Sequence, residues 1–377
     1  MTKRIIQFGT SRFLQAHADL FIHEARISNQ DIGPITVVKT TTGTERSGRV
    51  AAFGGEVGYP VIIRGLVNQK TIDETHYVKS IDGAMVADHD WLALRNLFAT
   101  EAAVVISNVG ESGYAVPVAD EVAAPKEAEV PASFPAKLLS LLLARFQSGS
   151  EAILILPCEL VSENGKVLRQ ILVRLAAQWQ LSQAFNLWMA SRVTICDTLV
   201  DRIVSEALDP IGAIAEPYAL WAIKRDPSYE IPFTHPAVVV TDDLEPYLRL
   251  KLHILNLGHS FLAEIWQSEA RPRGETVREI LSDPIIKDRL MQLYQTEIIP
   301  GFAGHNMTEA ATKYVATTLE RFENPFLNHR LSDIDQNHHL KIDRRVVDFI
   351  TWIKQANPSA NIAMLQALID SAERRRV

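Results

Sequence analysis

Three side chains capable of proton chemistry are grouped in Lys251-Leu-His-Ile-Leu-Asn256-Leu-Gly-His259. Oxidising an alcohol requires a base for the hydroxyl proton while hydride leaves carbon. Reducing the ketone requires the same group as an acid. A lysine serves both directions if burial or nearby positive charge brings its pKa towards neutrality. An asparagine amide can donate to a developing alkoxide oxygen, and a histidine can bond that oxygen or orient the substrate. On a helix advancing about 100° per residue, Asn256 stands about 140° from Lys251 and His259 about 80°, so the three can border one cleft across a wide arc. Leu252, Ile254, Leu255 and Leu257 read as core-facing. The spacing alone equally suits a buried helix with a snorkelling lysine and an internally satisfied Asn/His pair. Gly258, costly inside a helix, points to close approach by another group.

Hydride chemistry also needs a carrier. The strand-like run Ile5-Ile6-Gln7-Phe8 leads into Gly9-Thr10-Ser11-Arg12-Phe13. A glycine at a strand-to-helix turn lets the backbone approach a pyrophosphate, and the helix N-terminus favours the anion. The G-x-G-x-x-G fingerprint is incomplete, with Ser11 and Leu14 at the second and third glycine positions, so an ordinary βα turn fits as well. After the second strand, Ile35–Val38, no acidic residue awaits the ribose. The run is Lys39-Thr40-Thr41-Thr42-Gly43, with Arg46 and Arg49 beyond. A cation and hydroxyls there could take a 2′-phosphate, which leaves NADP open beside NAD; a surface lysine at a strand end is the plainer reading. A third turn, Asn108 to Tyr114, suits the nicotinamide half of a dinucleotide or a simple loop.

The elements that must position these groups change character along the chain. Strand-like runs at 5–8, 35–38, 61–63, 77–78, 103–107 and 153–156 alternate with helical patterns at 13–25, 90–98 and 135–146. Continuous β-branched runs each followed by a helix indicate a parallel sheet covered on both faces. The fold class is therefore α/β: an N-terminal Rossmann-like doubly wound domain over 1–235, then a mostly α-helical C-terminal domain over 236–377. The Ala/Glu/Pro-rich stretch 118–135 reads as an irregular loop. The three prolines of 226–236 mark the boundary. Helices are expected at 244–266, 276–282, 283–294, 307–321 and 344–355, with Asp283-Pro284 as an N-cap and first helical residue.

The formal charge of −7 gives no electrostatic case for nucleic acid or an anionic membrane. With only two cysteines, Cys158 and Cys196, both after apolar runs, there is no disulfide framework. No signal-like or membrane-length apolar run is visible, so a cytoplasmic setting and a small-molecule partner are expected. Arg374-Arg375-Arg376 reads as a solvated helix end. Asn337-His338-His339 reads as a solvated polar stretch without a ligand set, so no metal is expected.

With these residues in hand, the chain resembles the mannitol dehydrogenase family of polyol-specific long-chain dehydrogenases, with the tagaturonate reductase (altronate oxidoreductase) branch as its nearest pattern. That family carries the same Lys, Asn and His spacing. Phe8 to Leu14 looks like its nucleotide turn, with Ser11 replacing the usual glycine. Ile106-Ser107-Asn108 with Glu111-Ser112-Gly113 is similar to its Thr-Glu-x-Gly turn. Leu156-Pro157-Cys158-Glu159-Leu160 with Asn164-Gly165, Val200-Asp201-Arg202-Ile203, Arg321-Phe322-Glu323-Asn324-Pro325, and the pair Lys341 and Arg345 match further segments. The resemblance implies Lys251 as general acid/base, with Asn256 and His259 on the reacting oxygen. It places Gly9, Thr10, Ser11, Arg12, Phe13, Asn108 and Glu111 on the cofactor side, where the second turn, read by its own residues, adds Lys39 and Thr40. Asp201, Arg202, Lys341 and Arg345 are candidates for the rest of the substrate, a polyol or a sugar acid. Leu160 stands where mannitol-type enzymes have an asparagine, which turns the expectation away from mannitol itself. A non-catalytic nucleotide-binding sensor and a cofactor-using epimerase or isomerase are the competing readings.

Overall fold

The computed structural model of the chain describes residues 4–41, 47–149 and 151–375, excepting the side chains of Ser47, Glu111 and Ser112. Thr42, Gly43 and Arg46 of the second turn, and Arg376, lie outside the described residues. In chain order the strands are β1 (Arg4–Phe8), β2 (Ile35–Lys39), β3 (Tyr59–Val67), β4 (Lys70–Val78), β5 (Ile81–Val86), β6 (Ala102–Ser107), β7 (Ile153–Pro157), β8 (Val193–Ile195), β9 (Thr198–Asp201), β10 (Val204–Ala207), β11 (Ala213–Ala215), β12 (Leu220–Lys224) and β13 (Val238–Thr241). Six of them form a parallel sheet in the order β5-β2-β1-β6-β7-β8. β2, β6 and β7 are buried along their whole length, as strands covered on both faces must be. The order is that of a doubly wound Rossmann sheet, and it reverses between β1 and β6. Ligands of such sheets bind at the carboxyl ends of the strands flanking that point. Two smaller sheets follow the orders β10-β11-β3-β4 and β13-β12-β9.

The chain divides into two compact units. Unit 1 comprises residues 1–62, 75–215 and 219–244; unit 2 comprises 63–74, 216–218 and 245–377. The core of unit 1 collects Phe8, Val105, Leu138, Leu141, Ile155 and Phe185. Its helix Phe134–Gln147 starts where Ser133 Oγ accepts from Ala136 N, with proline in the first turn. The helix expected over 13–25 is two, Arg12–Gln15 and Ala18–Ile27. The break falls at His17, whose buried ring bonds the Leu220 carbonyl at 3.1 Å and lies against Phe13, Phe21 and Trp221. Cys158 and Cys196 are free, buried thiols.

Unit 2 is helical around Ile254, Leu257, Leu290, Tyr294, Phe302, Phe349 and Leu365. Asp283 caps the helix Pro284–Leu293 by accepting from Ile285 N at 3.0 Å. Three segments are π-helical: Lys251–Asn256, Tyr294–Ile298 and Asp343–Val347. Each is closed by an amide bonding the carbonyl five residues back: Leu257 N to Leu252 O, Ile299 N to Tyr294 O, and Asp348 N to Asp343 O. Such turns are rare and concentrate at functional sites.

One expectation, that for His338, is corrected in this unit. Arg375 stands at the exposed helix end that was expected, as the C-cap of Ala363–Arg374, and its guanidinium also pairs with Glu264. His338 is buried, not solvated, and bonds the same carboxylate at 3.0 Å. A carboxylate that is 4% exposed requires such partners. Among the described residues, no helix is long and apolar enough to cross a membrane, and no group of three or more His, Cys, Asp or Glu is placed to hold a metal ion.

Candidate active site

In unit 1 the ends of β1 and β6 are tied together. Gly9 takes φ +116°, and a Cβ there would stand 2.5 Å from the Asn108 carbonyl oxygen. Only glycine allows that approach. Ser11 caps the next helix by accepting from Leu14 N, and its hydroxyl lies 3.2 Å from Asn108 Oδ1. Asn108 Nδ2 donates to the Cys158 carbonyl at 2.7 Å. Both ends of the Asn108 amide are thus engaged in shaping the turn. The amides of Arg12 and Phe13 open a helix, where no intrahelical acceptor exists. Gly110 takes φ +92° with open space around its Cβ position. Orphan amides and glycine-permitted clearance fit a pyrophosphate.

Lys39 is buried at the end of β2 and donates to the Thr41 carbonyl at 3.0 Å, so it is not the plain surface lysine that the sequence also allowed. Thr40 beside it is half-buried. Glu111 begins a 3-10 turn, and its side chain lies outside the described residues. The carboxylate that organises this region is Glu159. It accepts from Ser107 Oγ and Val109 N, both at 3.1 Å, and from Tyr114 OH at 3.0 Å. Burial pushes its pKa up, against those donors. Asp201 and Arg202 are also in unit 1 and buried, with Arg202 Nη1 donating to the Ala16 carbonyl at 2.6 Å.

Unit 2 holds Lys251, Asn256 and His259 on one continuous helical run. The π turn revises the angular arc drawn from an α-helical repeat. A π turn rotates less per residue than an α turn, so Lys251 and Asn256 stand nearer one face than the α repeat implies. Both are half-buried, and Ile254, Leu255 and Leu257 between and beside them enter the core. Gly258 explains itself: a Cβ there would collide with the Tyr294 hydroxyl and stand 3.1 Å from the Phe322 ring.

His259 is 6% exposed, and its Nε2 has no hydrogen-bond partner among the described residues. Burial drives its pKa well below the usual value, aided by the charges of Arg345, Arg321 and Lys341 and by His329, so the ring is neutral at pH 7. It packs on Phe322 with ring centres 4.5 Å apart and meets His329 edge-on at 4.7 Å. His329 Nδ1 is likewise buried without a partner, and burial lowers its pKa. Leaving such atoms unmet costs about 1–3 kcal/mol each, a cost that a ligand's hydroxyls would relieve. No sequence pattern pointed to His329, which sits in an irregular stretch after Pro325.

Two further cations complete the site. Lys341 Nζ donates to the Ile334 carbonyl at 2.7 Å, and burial followed by the charge of Arg345 lowers its pKa. Arg345 is brought down to about 10, first by burial and then by Arg344. Arg321 is committed elsewhere, in a fully buried pair with Glu216 at 2.8–3.1 Å, its guanidinium over Tyr218.

Comparison with known proteins places this arrangement. The Mannitol dehydrogenase Rossmann domain matches residues 3–231, and the Mannitol dehydrogenase C-terminal domain matches residues 243–369. An altronate oxidoreductase of Halalkalibacterium halodurans is 30% identical across 98% of this chain and 75% of its own. One of Klebsiella pneumoniae is 31% identical across 91% of this chain and 74% of its own. Among solved structures, mannitol 2-dehydrogenase of Pseudomonas fluorescens, in a ternary complex with NAD and D-mannitol, aligns with TM-score 0.73 at 19% identity, over 98% of this chain and 78% of that one. A substrate-free D-sorbitol dehydrogenase aligns with TM-score 0.81 at 17% identity, over 97% and 79%. At these identities the structural likeness speaks for the fold.

Proposed function

Since this chain belongs to the mannitol dehydrogenase family, we propose that it interconverts a secondary alcohol of a sugar acid or polyol and the corresponding ketone, with Lys251 as general acid/base. The dinucleotide, NAD or NADP, supplies a hydride acceptor or donor when bound to the turn of Gly9 to Phe13, Lys39, Thr40, Asn108 and Glu111. In the oxidising direction the Lys251 amine takes the proton of the alcohol oxygen. In the reducing direction its ammonium returns that proton. The Asn256 amide donates to the same oxygen as charge develops on it. His259, kept neutral by burial, contributes a hydrogen bond and not a charge. Amine, amide and imidazole together meet the needs of the oxygen, so the proposed mechanism is metal-independent.

The observation that carries this reading is the partnerless, buried Nε2 of His259 on the helical run that the π turn starts with Lys251 and Asn256. A preference for a sugar acid is supported by Lys341, whose positive charge reaches His259. It is supported too by relatives that carry the name altronate oxidoreductase and by Leu160, exposed and without hydrogen-bonding capacity. Asp201 and Arg202 are proposed for the remaining hydroxyls. The test is NAD(P)H absorbance with altronate, mannitol and their ketones. Wild type is expected to turn over the acid with greater kcat/KM, and Lys251→Ala to lose at least about a hundredfold in kcat with its unfolding curve intact. Full activity of that variant would remove Lys251 from the mechanism. Nucleotide binding without turnover on any substrate would favour the sensor, and epimerised product without net cofactor change the epimerase.

A further inference from the structure

We propose that Arg345 is a positioning residue. It holds the π turn that puts Lys251 and Asn256 on one face, and it does this through backbone and side-chain atoms of the helix, not through the substrate. The inference rests on the functional reading above for what the turn does, but its geometry stands independently.

An inserted π turn disturbs the register of carbonyl acceptors along a helix, and buried carbonyls need donors. Two carbonyls at this turn receive side-chain donors from the other two π segments. Tyr294, first residue of one, donates its hydroxyl to the Ile254 carbonyl at 3.0 Å. Arg345, within the other, donates Nη1 to the Asn256 carbonyl at 3.0 Å and to Ser260 Oγ at 2.9 Å. The hold is reciprocal. His253, inside the catalytic π turn and fully buried, donates Nδ1–H to the Arg345 carbonyl at 3.1 Å. The other nitrogen of His253 accepts from Arg249 Nη1 at 2.9 Å, and Arg249 is paired with Asp348 at 2.6 Å. Arg345 is therefore bonded to the catalytic run through both its backbone and its side chain. A guanidinium whose Nη1 is committed to the Asn256 carbonyl fixes the backbone from which the Asn256 amide and the Lys251 amine project. Removing it frees the turn to relax towards an ordinary α-helical register, which would rotate Asn256 away from Lys251.

A substrate clamp and a positioning residue differ in what their loss changes. Loss of a clamp on a carboxylate raises KM for an acid and leaves a neutral polyol untouched. Loss of a positioning residue lowers kcat for both. The experiment compares Arg345→Met, Arg345→Lys and Tyr294→Phe with wild type. Kinetics are measured on altronate and on a neutral hexitol, and amide hydrogen exchange is followed over residues 251–260. Arg345→Met is expected to lower kcat by about ten- to a hundredfold on both substrates, as a misplaced catalytic group does, with KM within about threefold on the same grounds. Arg345→Lys, which keeps a donor, should recover part of that loss, and Tyr294→Phe should act in the same direction more weakly. Exchange in 251–260 should quicken at least tenfold in Arg345→Met while the helix Pro284–Leu293 keeps its protection. A rise in KM confined to altronate, with 251–260 exchanging as in wild type, would overturn the proposal in favour of a clamp. If wild type turns over neither substrate, the functional reading fails, and the exchange result alone decides whether Arg345 holds the turn.

Discussion

Replacing Gly258 by alanine should destabilise the protein although it improves a helical residue. In an exposed helix Gly→Ala gains about 1 kcal/mol. Here the new methyl would collide with the Tyr294 hydroxyl and press on Phe322 at 3.1 Å. Tyr294 is fully buried, so it cannot swing into solvent. Overpacking costs about 1–3 kcal/mol. Pushing the hydroxyl off the Ile254 carbonyl, 3.0 Å away, leaves the buried hydroxyl without a partner while the carbonyl keeps the Leu257 amide, and adds about 1–3 kcal/mol. Against the propensity gain, the net loss is about 1–5 kcal/mol. Urea unfolding of Gly258→Ala, Tyr294→Phe and the double variant measures it. Removing the hydroxyl first should abolish most of the collision, so the two substitutions should couple by about 0.5–3 kcal/mol. A Gly258→Ala protein as stable as wild type, or additive losses in the double variant, would refute the claim that glycine is required by Tyr294.

Glu216→Gln should cost about 3–5 kcal/mol by urea unfolding, because it strips the charge partner from an Arg321 that is 3% exposed; a loss below about 1 kcal/mol would show the guanidinium finding water instead. Acid should loosen unit 2 before unit 1, read by hydrogen exchange from pH 7 to pH 4. His253 is lowered to about 4 in the folded chain, by burial first, against an ordinary 6.5. The unfolded chain therefore takes up its proton first, and stability falls as pH drops through that window, by on the order of 3 kcal/mol at its lower end. His259 adds a loss of the same sign. In unit 1, His17, lowered to about 3, acts likewise. There it is opposed by Asp19, which burial raises to about 7 and which therefore favours the folded state as pH falls from about 7 towards 4. Equal loss of protection in both units would contradict this balance.

Continuous apolar runs, each followed by a helical pattern, carried most of the fold. β1, β2, β6 and β7 were legible because strands covered on both faces are mostly continuous apolar runs, and the cap at Asp283-Pro284 because its chemistry is local. What depended on distant partners was not legible. A helix pattern over 13–25 gave no warning that His17 would turn inward to the Leu220 carbonyl. Nor could local sequence assign residues 63–74 and 216–218 to unit 2, since neither stretch has a core of its own. The pairing of exposed Arg375 with Glu264, more than a hundred positions away, had no sequence signal. The same holds for the site. Lys251, Asn256 and His259 stood out by type and spacing, while His329, whose ring meets His259, lies in a stretch with no period at all.

The segments that carried the family resemblance divide physically into scaffold and chemistry. Arg321-Phe322-x-Asn324-Pro325 supplies no reacting atom. Arg321 neutralises Glu216, Phe322 walls His259 and fills the space Gly258 leaves, and Asn324 Nδ2 donates to the Arg64 carbonyl at 3.1 Å. Glu159, in the Pro-Cys-Glu-Leu segment, ties Ser107, Val109 and Tyr114 together behind the nucleotide turn. Such positions hold His259 and the turn; they are silent about which molecule is oxidised. Exposed Leu160, unlike these, is held by no backbone bond or ion pair among the described residues and is free to influence substrate choice. A hydrogen-bonding amide there can grip a polyol oxygen, whereas leucine offers only bulk. On the proposed reading, selectivity for an acid comes from the charge of Lys341 near His259, and its strength should fall with salt as an electrostatic preference does.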